Sequence, residues 1–442
     1  MVSALADHKR PVDPGPKPPP QRPTIRISAA RAAAFEILGL IAQGRGHSDD
    51  LLHGRHLKGL SSADKNLATT LVLGVLRWQI ALDARIRPFL QRPDIKLTAP
   101  VEIALRMGAF QLLHLDRIPP HAALSESVEL ARAGAPFAVG MVNAVLRKLS
   151  TAPKPGQRLH ESTTAFAERL GHPAWLVERW VAAYGRPAAV AICDAGQHEP
   201  ACGTLFAPER DDAAMPVMDD GSRLVAELAA AAAPGAQRVW DCCAAPGGKT
   251  LILATRFPGT QLLATDASPR RLASLAERLQ SAGVSRTVKT LEADAASPPA
   301  ELGQFDLILC DVPCSGTGTL ARNPEIRHRL DVEDIRRQTQ RQREILASAF
   351  GRLTPGGRLV YSTCSLEPEE NEQVVAGVLA SLRNAAIAPV PVMPLLESLR
   401  DQGRFNPDVD LNAIVNGDIL RTLPGNSFNG DGFFAAVFQK QA

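Results

Sequence analysis

The chain reads as an α/β protein: a doubly wound parallel sheet at the C-terminal end, preceded by an all-helical N-terminal part. Three observations predict this. At 442 residues the chain exceeds one ordinary core, and 45% apolar residues suffice for two or three packed domains. Up to residue 150 the apolar positions fall at helical spacing. After Pro234 the rhythm becomes strand, turn, helix, repeated, which is the signature of a parallel sheet.

The elements follow in order. Residues 1–23 are Pro-rich, with too little apolar surface to offset the entropy of ordering, and are expected to form a disordered tail. Residues 24–150 carry helical rows such as Ala30, Ala34, Ile37, Leu38 and Ile41, then Leu67, Leu71, Val75 and Trp78. Residues 151–233 are expected to hold a linker, "PKPGQ" (153–157), and a short mixed connector; 173–218 shows no assignable pattern. Residues 234–442 supply five short apolar runs, "RVWD", "QLLATD", "VKTLEAD", "FDLILCD" and "GRLVYS", each bounded by turn or helical segments. The helix before the last presents Ile345, Leu346, Ala349, Phe350 and Leu353 on one face, with Pro355 and Gly356 to stop it.

Charge and cysteine content narrow the function classes. The net charge of +3 conceals an asymmetry: residues 1–150 hold 20 Lys and Arg against 12 Asp and Glu, the remainder 29 against 34. A basic helical part suits a polyanion partner; a solvated helical surface gives the same count. There is no run of eighteen apolar residues and no secretory leader, so a cytoplasmic protein without a membrane partner is expected. Seven cysteines without a CxxC pair argue against a disulfide framework and leave any special cysteine a chemical role.

In a doubly wound sheet, ligands lie beyond the carboxyl ends of the strands, where strand order reverses. Three loops should open there. "DCCAAPGGKT" (241–250) follows the first strand and enters a helix, so its amides and the positive helix end can meet a ligand. It nearly spells a phosphate loop. However, Cys243 stands where that motif needs glycine and Pro246 removes an amide donor, and a tight Gly turn without ligand gives the same string. Asp266 ends the second strand, where an acid can accept from a ribose diol, and Asp294 ends the third, within reach of an adenine amino group. An adenosine held between two carboxylates, without a triphosphate cradle, fits S-adenosylmethionine better than ATP. Each aspartate alone also reads as a strand-end turn residue.

The fourth strand delivers "DVPCSGTGT" with Asp311 and Cys314, and the fifth delivers "YSTCSLEPEEN" (361–371) with Cys364. A buried, small apolar role is the ordinary fate of a cysteine, yet both stand just past a strand beside Ser and Gly. No histidine lies at metal-ligand spacing, so no metal is expected. Two thiols and a carboxylate suit a pyrimidine ring. Carbon 5 of cytosine is a weak nucleophile until a thiolate adds to carbon 6, and covalent catalysis divides the hard step in two. A carboxyl near ring nitrogen 3, a role for Asp311, would steady the adduct, and a second cysteine could assist elimination. The nucleophile needs a pKa below about 8.5. "LEPEEN" is expected to begin a helix near Pro368 and satisfy its own dipole, which leaves Lys249 as the candidate activator of Cys364.

"CAAPGGK", "DVPCS", "YSTCSLEPEEN" and "GDGFF" (430–434), in this order, resemble the RsmB-like members of the Sun/Nop family of RNA 5-methylcytosine methyltransferases. The resemblance implies Cys364 as nucleophile, Cys314 as an aid to product release, and Asp311 at cofactor or base. It also implies S-adenosylmethionine held by Cys243, Ala244, Ala245, Pro246, Gly247, Gly248, Lys249, Asp266, Asp294 and Asp311. "DRIPPHAALSESVELAR" and "VNAVLRK" resemble the family's NusB-like RNA-binding domain, so the implied partner is RNA, ribosomal by resemblance, and the expected enzyme is a monomer. The likeness covers residues 24–150 and 234–442. Between them it fails: the family's RRM-like segment is shortened to about seventeen residues before Met218, the usual "VQDxxS" reads "VMDDGS", and "DAPCS" reads "DVPCS". The Arg-rich stretch at 322–343 is a candidate rim for RNA, or a helix face laced with ion pairs. Two other readings stay open: a DNA cytosine methyltransferase using Cys314, and a non-catalytic RNA-binding assembly factor.

Overall fold

The computed structural model describes residues 27–153, 161–199, 202–208, 216–382 and 386–441. The Pro-rich stretch 1–23 and all of the "PKPGQ" segment but Pro153 lie outside the described residues. Six α-helices open the chain: α1 Ala29–Ala42, α2 Ser48–Leu52, α3 Ser62–Ile86, α4 Ala99–His114, α5 Pro120–Gly134 and α6 Val139–Thr151. The helical rows do what their spacing predicts. Ala30, Ala34, Ile37, Leu38 and Ile41 of α1 meet Leu71, Val72, Val75 and Leu76 of α3 in one core, while Leu67 and Trp78 pack at its margin. Glycine permits the α3 to α4 approach, because a Cβ on Gly74 would stand 2.0 Å from the Phe110 ring. Residues Ser62–Phe89 are the one stretch among those described with the length and composition to span a bilayer; here their apolar row is buried in this helical core.

The connector, unassigned from sequence, is helical: α7 Thr163–Arg169 and α8 Ala174–Ala195, followed by α9 Asp220–Ala232. In α8, Gly185 (φ 81°) and Pro187 break the helix in two, so no single helical phase runs through it. Its buried Trp180, Ile192 and Cys193 pack with Leu320 and Leu366 from loops of the sheet domain. Helix α9 lies upstream of the expected Pro234 start, yet Leu224, Val225 and Leu228 are buried in the same core as the sheet.

All five expected strands form: β1 Arg238–Asp241, β2 Gln261–Asp266, β3 Val288–Glu292, β4 Phe305–Asp311 and β5 Leu353–Thr363. The sheet order is β3-β2-β1-β4-β5 and then β9-β8-β7, with β6 also paired to β9. The first five are parallel. The order reverses between β1 and β4, which opens the crevice there. The remaining four strands, β6 Ile387–Val390, β7 Val415–Asn416, β8 Ile419–Thr422 and β9 Phe433–Lys440, form the antiparallel side that the sequence did not reveal. Leu307, Ile308, Leu309 and Cys310 of β4 are all buried, as a central strand covered on both faces requires. Three further helices pack on the sheet: α10 Gly248–Arg256, α11 Pro269–Ser281 and, after the short α12 Ile326–Arg329, α13 Val332–Gly351. Helix α13 ends before Leu353, which belongs to β5 rather than to the helix face.

Candidate active site

The loop after β1 keeps its backbone in register past the strand: Cys242 N donates to Leu309 O at 3.0 Å and Ala244 N to Thr265 O at 2.8 Å. Gly247 then turns the chain with φ 103°, where a Cβ would stand 2.4 Å from Leu275 Cδ1, and α10 starts at Gly248. This aims Lys249 into the crevice. Its Nζ lies 2.8 Å from Asp311 Oδ2 and donates to Ser222 Oγ at 2.8 Å. Burial lowers the Lys249 pKa, but the charges of Asp311, Cys364 and Asp241 and the Asp311 hydrogen bond more than offset it, so the ammonium is held above the usual lysine range. Asp241 accepts from Thr250 Oγ1 at 2.7 Å through Oδ2, while Oδ1 is buried with no partner. A cavity of ≈ 140 Å³ opens here, with Met218, Asp241, Cys243, Gly248, Arg278 and Asp311 among its lining.

Cys314 and Cys364 meet, Sγ to Sγ, at 3.2 Å, and both are half-buried. Their loops are tied together. Gly318 N donates to Cys364 O at 2.9 Å, and Gly432 N of the "GDGFF" segment donates to Gly318 O at 2.8 Å. The Cys314 thiol is pushed well up, first by its hydrogen bond to Cys364, then by burial and by the charges of Cys364 and Glu370.

The acids after Cys364 correct a sequence expectation. The helix, α14 Glu372–Ser381, begins four residues beyond Pro368. Glu367 and Glu370 are fully buried and do not serve its dipole. Glu370 accepts from Ser315 N at 2.8 Å and Gln342 Nε2 at 3.0 Å, and also from the Ser315 and Ser365 hydroxyls. Glu367 accepts from Arg179 Nε at 2.7 Å and Trp180 Nε1 at 3.0 Å on α8. The acidic run thus anchors the thiol loop to its neighbours.

The remaining expected residues are spread along the crevice. Asp311 also accepts from Ser362 Oγ at 2.8 Å. Asp266 is buried at the end of β2, takes Ser268 N at 2.9 Å and faces Arg271 at 3.5 Å. Asp294 is more open and bonded to Arg341 and Ala296 N; partial burial raises its carboxyl, but these bonds hold it below the usual range. The part of Ser222, Met218 and Arg278 in the site went unnoticed in the sequence, because Met218 stands just ahead of α9, Ser222 in its first turn and Arg278 in α11, and all three reach the site only through the fold. The one available signal was "VMDDGS", whose Asp219 caps α9 through Gly221 N at 2.7 Å. The Arg-rich stretch 322–343 is no uniform rim. Arg322 is paired with Asp219 and Asp431, and Arg327 to Arg329 turn toward the N-terminal helices. Arg336 and Arg337 are exposed and paired within their own helix.

Known proteins are similar to this chain in sequence and fold. Residues 229–439 match the model of the 16S rRNA methyltransferase RsmB/F family, and residues 28–151 that of the NusB family. The chain is 34% identical over 406 residues to a ribosomal RNA small subunit methyltransferase B of Xanthomonas campestris, spanning 82% of this chain and 90% of that one. A protein of the same name from Klebsiella pneumoniae is 34% identical over 429 residues, 86% of this chain and 91% of its own. In fold, the chain is similar to the crystal structure of PH0851, with a TM-score of 0.69 and 23% identity over 94% of this chain and 99% of that one.

Proposed function

The chain belongs to the RsmB/F family of 16S rRNA methyltransferases, and from that premise we propose that Cys364 and Cys314 form the thiol pair that methylates carbon 5 of a cytidine in small-subunit ribosomal RNA. The observation that carries this reading is the 3.2 Å approach of the two sulfurs at the ends of β4 and β5, beside the Lys249 to Asp311 ion pair. A target within structured RNA must be turned out of its stack to reach them.

The crevice also fits the cofactor. Asp241 offers a buried, unpartnered oxygen, Asp266 and Asp294 stand at neighbouring strand ends, and Pro246 lacks the amide a triphosphate cradle uses. That acceptor-rich set suits a ligand bearing an ammonium, a diol and an amino group, with the 243–249 loop and Asp311 completing the walls. S-adenosylmethionine, when bound there, supplies the electrophilic methyl group.

The chain's own residues do the rest. Cys364, as thiolate, bonds to carbon 6 and drives the ring electron pair to carbon 5, beside the ion pair of Lys249 and Asp311. Asp311 faces ring nitrogen 3 and the amino group. Once carbon 5 has gained its methyl, the base must lose the proton there and expel sulfur 364. Two causes that push Cys314 up, its hydrogen bond to Cys364 and the charge on that sulfur, vanish when Cys364 is carbon-bound. Burial and the Glu370 charge still hold Cys314 up, but with those two causes gone its thiolate is easier to form, and it takes the proton as the carbon to sulfur bond breaks. The reading is of a monomer that acts in the cytoplasm, where its ribosomal RNA substrate is made.

The test is a pair of single replacements incubated with RNA containing 5-fluorocytosine, which blocks the elimination. Cys364→Ala is expected to abolish the covalent protein–RNA complex and Cys314→Ala to retain or accumulate it. The reverse pattern would make Cys314 the nucleophile.

A further inference from the structure

We propose that Arg327 is a positioning residue: it fixes the loop that carries Cys314 to the N-terminal helices and connector, and so sets how quickly Cys364 releases its RNA. This rests on the assignment of Cys314 to product release.

Arg327 is 2% exposed. Its Nη1 donates to Arg77 O of α3 and to Gly171 O, each at 3.0 Å, and its Nη2 to Gly196 O at 3.0 Å and Leu320 O at 3.2 Å. These four carbonyls come from the helical domain, from both ends of α8, and from the Cys314 loop itself. Such an arrangement is costly, because a buried guanidinium that meets only carbonyls, and whose Nε has no partner, has no opposite charge to offset its desolvation. Burial accordingly pushes its pKa down to about 9, with the nearby Arg77 charge adding to the effect and Cys193 opposing it, and the group still carries its proton at neutral pH. An apolar side chain would fill the junction at lower cost. What the guanidinium adds is direction, since its fixed fork holds several acceptors at set angles.

Neighbouring contacts run the same way. Arg77 donates to Ala321 O at 2.6 and 3.0 Å, and Ser48 donates to the buried Glu325 at 2.8 and 3.0 Å. From Leu320 the chain returns in six residues to Cys314 through a tight turn, Thr319 N to Gly316 O at 2.9 Å. Gly318 in that turn is bonded to Cys364 O. The path from the helical domain to both thiols is therefore short, crossing the junction through side chains and continuing along the backbone turn, and a shift of the junction displaces Cys314 against Cys364.

The experiment uses the full chain with Arg327→Met, Arg327→Lys and, as a control at the rim of the same interface, Arg329→Ala. Three quantities are read: cofactor affinity by calorimetry with S-adenosylmethionine, the melting temperature, and the lifetime of the covalent complex with ordinary cytidine RNA. Arg327→Met is expected to bind the cofactor as the parent does, yet hold its RNA about 10- to 100-fold longer, the scale that misplacement by an ångström produces. Arg327→Lys should fall between. A parental lifetime in Arg327→Met, or a loss of cofactor affinity and lifetime together that Arg329→Ala reproduces, would overturn the proposal in favour of a purely architectural role. Should Arg327→Met fail to fold, Arg327→Lys decides by the same two outcomes. If the parent protein itself yields no covalent complex with 5-fluorocytosine RNA, the thiol assignment falls and takes this one with it; a trapped parent with an unaffected Arg327→Met removes this one alone.

Discussion

Asp241 shows how a single carboxylate can work against the fold that holds it. Burial, and then the charges of Asp311 and Asp266, push its pKa up to about 7 against the opposing Thr250 hydrogen bond and Lys249 charge. In the unfolded chain the same group titrates near 3.9, so between about pH 4 and 7 the native state holds a proton that the unfolded state has released. The unfolded state binding fewer protons means that stability falls as pH rises through this interval, and the penalty is complete above 7. Asp241→Asn keeps an acceptor for Thr250 and removes the charge. In ligand-free protein, its melting temperature should gain on the parent from pH 4 to pH 7 and hold a constant lead above, worth on the order of 1–3 kcal/mol. A lead that shrinks with rising pH would refute the account. Asp241 was visible in the sequence as a motif member, but its orphaned oxygen was not, because burial of a strand-end acid depends on the neighbours that the sheet brings to it. Asp311, Cys314, Cys364 and Lys249 were legible for the opposite reason: Asp311 ends β4, the two cysteines stand within three residues of β4 and β5, Lys249 opens the helix that follows β1, and strand ends in a doubly wound sheet converge on one crevice.

Between elements, the contact that decides the site is glycine to glycine. A Cβ on Gly318 would stand 2.2 Å from Gly432 O and 2.9 Å from Cys364 O. Three loops, those after β4 and β5 and the one before β9, are therefore closed to backbone distance. Gly318→Ala must separate them, at a cost of about 1–3 kcal/mol from overpacking and about 10²-fold in methyl transfer through displaced thiols. Thermal melting together with single-turnover methylation checks this, and near-parental transfer would show that the loops need not touch. The parallel strands were legible because β1 to β5 each carry a short apolar stretch between turn and helix signals. The antiparallel side was not: β6 includes Pro389 and is only half-buried, and β7 has two residues. The start of α14 was misplaced because Glu367 and Glu370 look like first-turn acids until Arg179, Ser315 and Gln342 arrive from distant segments.

On the scale of the whole molecule, the Arg-rich stretch was the least legible in the sequence, since a charged run looks solvated until the fold brings carbonyls around it. In the fold, part of it becomes the seam between the helical domain and the sheet. Glu325 is the acid of that seam: 2% exposed, it accepts Ser48 N at 3.0 Å and Ser48 Oγ at 2.8 Å, and so holds the first turn of α2 against the Cys314 loop. Removing it leaves a buried amide and hydroxyl without their acceptor, which costs about 1–3 kcal/mol. That cost falls on the interface, because Ser48 comes from the helical side of it and Glu325 from the sheet side. Glu325→Ala should therefore lower the melting of the helical part ahead of the sheet, dividing in calorimetry what the intact seam joins in one transition. Protection of the Cys314 and Cys364 loops by added S-adenosylmethionine should survive, as the cofactor crevice is built from other residues. If Glu325→Ala melts as the parent does, the seam carries no coupling, and the two domains are merely neighbours in one chain.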